Sequence, residues 1–548
     1  MARRALPPPA MKGGSLYDLS AKAIYAKLEV IRNPYLTRAY KVAALTIPRL
    51  CPTFSGGSGA KSDTSALMLD GPRNTVGTKG VNSLSSRMLS TLLPASDTFF
   101  LLSVPDDVMQ QANSINKDAG AEIESSLRAI ENQIDAVVSH KAFRPTIAEG
   151  FKHLIVVGNA LLHYTNQQDL RMIPLTNYVV SRDDSGELLC LIIQQSRDIN
   201  TLSADVRAVI ASAGSLKAHE TDIAVYTKVL RVSAHEFLVH QEVDDGIQVP
   251  NSHKIYSDDE MPFIVLRWGK IDGEDYGRSI GEEYLGELVT LESLEQSLVE
   301  GTIASARLIG MVNPTGVTST QDLNGAKNGE FIVGVNTDIS FLQIGKHADF
   351  SIAFQKIKDI ERHVEQAFLL NSTLITDSKN VTATAIRMAA EELESTLGGI
   401  YSLFSNSFQL PLVRLVLLDL EKRGATPRLP ASLEVSITTG LTALGRQERL
   451  TKLQTAFGLA AAVVGPQEMA RNTNATNVIR YIIDNSGLKG AHGLVKTTTE
   501  LAADAQAQQA QAAQASLMQQ FAQSTGKPMQ DAMSNMAQQA GFGAPAGE

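Results

Sequence analysis

TATAIRMAAEELESTLGGIYSLFSNSFQLPLVRLVLLDLEKRG, residues 382–424, reads as one very long helix. Apolar residues recur at Ile386, Ala389/Ala390, Leu393 and Leu397, then at Leu412, Leu415/Val416 and Leu420, close to helical spacing. At 1.5 Å per residue the run would reach roughly 60 Å. Gly398-Gly399 and Pro411 are the expected bend points. Gly424 stands where a C′ glycine should. No catalytic residue type recurs along the run. Such an element suits a scaffold in a large assembly better than the wall of a small pocket.

Two shorter helices precede it and flank a β-like insert. The first spans about 281–309, with Leu285, Leu288, Leu291, Leu294 and Leu298 on one side. The second spans about 348–370, with Phe354, Ile357, Ile360, Val364 and Ala367/Phe368 as its stripe. The insert, 310–347, holds Asn313-Pro314, the turn Lys327-Asn328-Gly329 and the strand-like Phe331–Val335. Asn371–Val381 joins the second helix to the long one. Further upstream the period changes to that of strands. Asn177–Arg182, the turn at 183–186 and Leu188–Gln194 predict a β-hairpin, and Ile223–Leu230 and Glu236–Val243 predict two more strands. No crossover helices separate them, so the sheet should be antiparallel. Residues 115–140 predict a helix burying Ile123, Leu127, Ile130, Ile134 and Val138. Residues 15–50 read as helical with a break at Asn33-Pro34, and 53–66 as a loop. After Arg428 come a short strand, Leu433–Thr438, helices to about 490, and an Ala/Gln/Met-rich tail, 501–548, with a poor apolar stripe. The fold class is α+β, predominantly helical.

The 548 residues are enough for a large core and two to four domains. Only Cys51 and Cys190 are present, too few for a disulfide framework. No run approaches the 18 or so apolar residues of a membrane span, and the basic, Pro-rich start MARRALPPPAMKGG lacks a following apolar segment. The net charge of −9 is uneven: residues 1–50 carry nine Lys/Arg against Asp18 and Glu29, a net +7 that leaves −16 for the rest. A solvated arm and helix face account for this. The sharper reading is that Arg3, Arg4 and Lys12 touch an acidic partner or nucleic acid.

Four motifs suggest chemistry and each falls short. Gly277-Arg278-Ser279-Ile280-Gly281 matches G-x-S-x-G, but a polar, loop-like approach replaces the buried strand of a hydrolase elbow; helix N-capping by Ser279 explains the match. His235 and His240 are five apart, not the four of a zincin helix, and their segment alternates like an exposed strand edge. Gly56–Ser62 lacks the G-K-[ST] cradle of a P-loop. Asp183–Gly186 is a hairpin turn without the distal Glu of a calcium loop. No catalytic group, metal or cofactor is therefore expected. One charge pattern is more telling: Glu282, Glu283, Glu287, Glu292, Glu295 and Glu300 stand in a helix without a Lys or Arg up to Ala306. This is either a solvated acidic face or the wall of a channel past which a polyanion slides. Lys379, between Ser378 and Asn380, is the one basic residue of 371–381.

The 382–424 stretch and YGRSIGEEYLGELVTLESLEQSLVEGTIASARLIGMVNPTG (276–316) resemble the head-to-tail connector, or portal, proteins of short-tailed phages. Matching pieces follow in the same order: YLTRAYKVAALTIPRLCP (35–52), VGTKGVNSLSSRMLSTLLPASDTFFLL (76–102), KHLIVVGNALLHY (152–164) and TGLTALGRQERL (439–450). The resemblance covers roughly residues 35–450. Ala385 departs from it, standing where many members carry Glu.

The resemblance implies a wing (1–280), a stem helix (281–309), a clip (310–347) and a second stem helix (348–370). A tunnel loop (371–383), the long wing helix with its return strand (384–440), a helical crown (441–500) and the tail follow. It implies a non-enzymatic ring of twelve subunits at one vertex of the virion capsid, assembled in the host cytoplasm. Double-stranded DNA passes through its channel during packaging and ejection. The packaging terminase, major capsid and scaffolding proteins and tail adaptor proteins are its implied partners. Lys379, Ser378, Asn380, Glu283, Glu287 and Glu295 are the channel candidates. The readings from other classes are a ring-forming structural protein without a DNA role and a hydrolase using Ser279.

Overall fold

The computed structural model describes residues 19–51, 71–370 with short omissions (95–98, most of 106–118, 141–142, 166–168, most of 203–221, 244–245, 307–308, 343–346), 403–427, 434–437, 453–460 and a few isolated positions. The chain divides into two compact units, residues 1–104 with 127–444 and residues 105–126 with 445–548. The first unit holds nearly all of the described helices and strands.

Its early helices are α1 (Ala21–Leu45), α2 (Val76–Leu92), α3 (Ala119–His140) and α4 (Phe143–Val157), with strand β1 (Phe100–Ser103) before α3. Nine strands follow: β2 (Asn159–Thr165), β3 (Asp169–Ile173), β4 (Tyr178–Arg182), β5 (Leu188–Asp198), β6 (Asp222–Ser233), β7 (Glu236–Val243), β8 (Ile247–Gln248), β9 (Lys254–Ser257) and β10 (Phe263–Arg267). Then come α5 (Ile280–Glu283), α6 (Leu285–Ala306), β11 (Ile309–Val312), α7 (Thr320–Gly325), β12 (Ile339–Leu342), α8 (His347–Ala367), α9 (Leu410–Lys422) and β13 (Glu434–Ile437).

The predicted antiparallel sheet is present, in the order β4-β5-β6-β7-β8, with β9 also on β7. Helix α1 covers one part of it: Ile24, Tyr25 and Leu28 pack with Val179, Cys190, Ile192, Tyr226 and Leu230. Charge fastens the start of α1 to the same sheet. Buried Glu242 on β7 accepts from the Ala21 N–H at 2.6 Å and lies 2.9 Å from His240 Nε2, while Lys228 Nζ donates to the Leu19 carbonyl at 2.8 Å. Burial alone would raise the Glu242 pKa, but these hydrogen bonds and the Lys228 charge hold it below the usual carboxylate range.

Pro34 does not break α1, contrary to the sequence reading; the helix runs through it. Pro34 and Val30, the residue whose carbonyl loses its i+4 donor, are both exposed, so water can satisfy that carbonyl. Lys22, Lys27 and Lys41 are exposed, as a solvated helix face requires, but not every basic residue of this region belongs to it. Arg32 is buried, and its Nη1 is shared among the Tyr25 hydroxyl (2.8 Å) and the carbonyls of Leu175 (3.1 Å), Thr176 (2.9 Å) and Tyr178 (3.0 Å). Arg38 pairs with Glu282 at 2.8 Å, and Arg49 with Glu149 at 3.6 Å. Arg32→Met keeps most of the side-chain volume but leaves buried carbonyls without a donor. The expected loss is about 3 kcal/mol, read as a lower urea midpoint of the purified protein; an unchanged midpoint would show that water replaces the guanidinium.

The sheet also revises the His235/His240 reading. Strand β7 is interior, paired with β6 on one side and with β8 and β9 on the other. His240 is buried and stacked on His253, with centroids 4.9 Å apart, whereas His235 is exposed in the turn before β7. A second, three-stranded sheet, β10-β2-β3, is absent from the sequence reading. There β2 follows helix α4 after a single residue, so the change of period is too abrupt to read as a boundary.

Helices α6 and α8 pack on one another, with the hairpin β11–β12 between them in the chain. The predicted 281–309 helix is divided at Tyr284 into α5 and α6 and stops at Ala306. Leu288 and Leu291, and Ile357, Ile360, Val364, Ala367 and Phe368, are buried. Phe331–Val335 is not a strand, contrary to its composition. Residues 309–312 and 339–342 form the hairpin, and 331–335 stay exposed.

Of the long 382–424 helix, residues 403–424 are described; Gly398-Gly399 lies outside the described residues. A π-helical turn, Ser405–Gln409, runs straight into α9, so Pro411 is absorbed without ending the helix. Gly424 has φ +70°, and the Gly424 and Ala425 N–H groups donate to Glu421 and Leu420, the paired bonds of a Schellman end. Strand β13 pairs with β1.

Candidate channel surface

The G-x-S-x-G match is a backbone crossing. Gly158, at φ +80°, links α4 to β2, and its carbonyl accepts from the Trp268 N–H at 2.9 Å. A Cβ on Gly277 would lie 2.7 Å from the Gly158 carbonyl oxygen. The Asn159 amide clamps Gly277 from both sides, donating to its carbonyl (2.9 Å) and accepting from its N–H (2.8 Å). Ser279 is buried, and its hydroxyl accepts from the Glu282 N–H at 3.0 Å as the N-cap of α5. Gly277 and Ser279 are thus occupied by close packing and capping. Ser279→Ala is expected to cost about 1 kcal/mol through the lost cap and to leave particle production near normal; an esterase activity abolished by this change would restore the nucleophile reading.

Strongly perturbed groups elsewhere show burial and not a reaction centre. His153 on α4 and His163 on β2 are both pushed down to about 4, chiefly by burial, and His163 stacks on Phe263. Among the described residues no group of three or more His, Cys, Asp or Glu could hold a metal, and no helix is long and apolar enough to cross a membrane.

The acids of the stem region have partners that their own helix does not supply. Glu282 pairs with Arg38 of α1. Glu292 accepts from both the backbone and the guanidinium of Arg73, 219 residues away, at 3.0 Å each. The Asn74 amide bridges Glu295 (3.1 Å) and Glu361 of α8 (2.9 Å), and Lys358 closes on Glu361 at 2.7 Å. Glu287 lies 3.9 Å from His363 Nδ1. Glu283 and Glu300 are exposed. The segment at 71–74 and helix α8 therefore brace α6 through its carboxylates. Arg73, Asn74 and His363 carry no local signal of this role, because their partners are distant in sequence. Lys379, Ser378 and Asn380, and Arg3, Arg4 and Lys12, lie outside the described residues.

The sequence pattern of the family described as bacteriophage head to tail connecting protein matches residues 19–491. The chain belongs to that family. The portal protein of Escherichia phage T7 is similar to this connector chain, 36% identical over 452 residues that cover 81% of this chain and 82% of the relative. That of Enterobacteria phage T3 is 36% identical over 462 residues, covering 83% and 84%. That of Enterobacteria phage SP6 is 30% identical over 437 residues, covering 78% and 81%. A chain from the neck of an empty GTA particle aligns with TM-score 0.37 at 12% identity, covering 78% of this chain and 96% of that one. The connector thus has the structural role of a portal between phage head and tail, and it is not an enzyme.

Proposed function

We propose that this connector closes into a ring of twelve copies at one capsid vertex, with double-stranded DNA passing through its centre. The observation that carries the ring is the α6–α8 pair. Val299 and Ile303 on α6, and Ile352 and Phe354 on α8, are each about half exposed in the single subunit. Exposed apolar side chains on both helices call for a partner surface, and a head-to-tail repeat of one subunit supplies it when the rotation closes. In this reading residues 1–280 form the wing, α5–α6 and α8 the stem, 310–347 the clip, 371–383 the tunnel loop, and 384–440 the long wing helix and its return strand. Glu283, Glu287 and Glu295 give the channel a field that DNA does not stick to. Lys379, between Ser378 and Asn380, supplies one weak phosphate contact per subunit, and Arg3, Arg4 and Lys12 form an arm for an acidic partner. The terminase, capsid, scaffolding and tail adaptor proteins dock on the same ring.

Negative-stain electron microscopy of the purified chain tests the ring: closed particles with a central hole are expected, and they should persist in EDTA. Monomers in EDTA that a divalent ion converts to rings would overturn assembly without metal. Deleting residues 2–13 should spare the rings. An unchanged salt dependence of every partner interaction after that deletion would reduce the arm to a solvated tail.

A further inference from the structure

Phe331-Ile332-Val333-Gly334-Val335 is the most exposed apolar segment among the described residues. Phe331 is 100% exposed and Val333 88%, whereas Ile332 is 39% exposed. The alternation has a cause: Gly334 lies over Thr318, whose hydroxyl also accepts from the Val335 N–H at 3.1 Å. Residues 332 and 334 therefore face the clip, and 331 and 333 face solvent. Val335 is extended, with φ −114° and ψ 130°. Residues 331–334 make no backbone hydrogen bond among the described residues. An apolar, β-branched run with its donors and acceptors open is a strand without a sheet.

The same lobe holds a sheet without its full set of strands. Among the described residues strands β11 and β12 pair only with each other, so each has an open edge there. On the β11 side Met311 is exposed, as is Val317 just beyond it; on β12 the exposed side chain opposite Met311 is the polar Ser340. As cross-strand partners Met311 and Ser340 share one face of the hairpin, so a strand added beside β11 meets the apolar Met311 on that face and one added beside β12 meets the polar Ser340. The lobe itself is firmly held, because buried Asp338 accepts from the Val317 N–H (3.1 Å) and the Thr318 hydroxyl (2.9 Å). A strand donor and an acceptor edge on one firm lobe are what a repeating head-to-tail contact uses, since every copy both gives and receives.

We infer that residues 331–335 add as a strand to the open β11 edge of a second copy of this chain, with Phe331 and Val333 covering its Met311 and Val317. Backbone hydrogen bonds supply the attachment and the alternate apolar side chains its register. The inference rests on the ring proposed above and places one of its joints.

The test uses two single-cysteine variants of the full chain, Val333→Cys and Met311→Cys, co-assembled and oxidised. Cys51 and Cys190 are both buried, so background cross-linking is low. A disulfide between the two variants can form only between copies. Covalent dimers are expected in the mixed rings and not in rings of either variant alone. Intact rings by electron microscopy without mixed dimers would overturn the strand joint and leave the ring standing. Absence of rings from the unmodified chain would overturn the ring itself. Val333→Pro provides a second reading, because it removes a ladder donor at a residue that packs on nothing in its own subunit. It should leave the far-ultraviolet circular dichroism of the dissociated subunit unchanged and lower the urea concentration at which rings fall apart. Rings as resistant as the unmodified ones would contradict the joint.

Discussion

Gly158→Ala is expected to lower the stability of the folded subunit by about 2–4 kcal/mol. At φ +80° an L side chain is strained, and the added Cβ would lie 2.7 Å from both the Gly277 carbonyl oxygen and the Ser279 N, and 2.8 Å from the Arg278 carbonyl carbon. All three are backbone atoms, so no rotamer change relieves the contact. The left-handed conformation costs about 1 kcal/mol and forced overpacking about 1–3 kcal/mol more. The joint under strain is where α4, β2, β10 and the entry to α5 meet, so the damage falls on the support of the stem. Gly273→Ala is the control: it has φ +75° but open space around its Cβ position, and only the conformational cost should appear. Soluble yield and urea midpoint measure both. Equal losses in the two variants would show that the close crossing contributes nothing.

Charge reversal on the stem should stall packaging while rings still form. In the channel reading, Glu287→Lys with Glu295→Lys replaces two carboxylates per subunit by two cations facing DNA. Each phosphate neutralised releases counterions and strengthens binding, with a salt slope near −0.9 per contact, so a moving duplex is held back. Glu295 also accepts from Asn74, and Glu287 lies beside His363, so the substitution disturbs the brace as well. Glu287→Gln with Glu295→Gln separates the two effects, because it retains acceptors without adding cations. The measurement is packaged DNA length per head beside ring yield: short DNA for the Lys pair and near-normal length for the Gln pair. Full-length DNA in intact Lys-pair rings would place the acidic face away from the duplex. Lys379→Ala should act more mildly, on retention of packaged DNA.

Much of the connector was legible from residues that act over a few positions. The stripes at Leu288/Leu291 and Ile357/Ile360/Val364 gave the two packed helices, the alternation around Asp183–Gly186 gave the β4–β5 hairpin, and Gly424 gave the helix end. The role of Ser279 as a cap was also readable, since its partner is three residues away. The bracing of the acidic stem was not. Six carboxylates without a Lys or Arg read as a bare face, yet Arg38, Arg73, Asn74 and His363 reach four of them from other elements.

Local order along the chain was enough to set where it turns helical, where it alternates and where it caps, because those outcomes depend on neighbours within about one helical turn. Which groups end up dry and paired came from tertiary packing alone. Pro34 stays inside a helix because that face of α1 meets water. Arg32 is buried because three carbonyls from 175–178 converge on it beside the Tyr25 hydroxyl of its own helix. His240 is buried because Glu242, which also holds the start of α1, and the His253 ring lie against it. Phe331–Val335 has the composition of a strand and no sheet to join in its own subunit: a strand needs a second backbone beside it, and no run of residues carries that partner within itself.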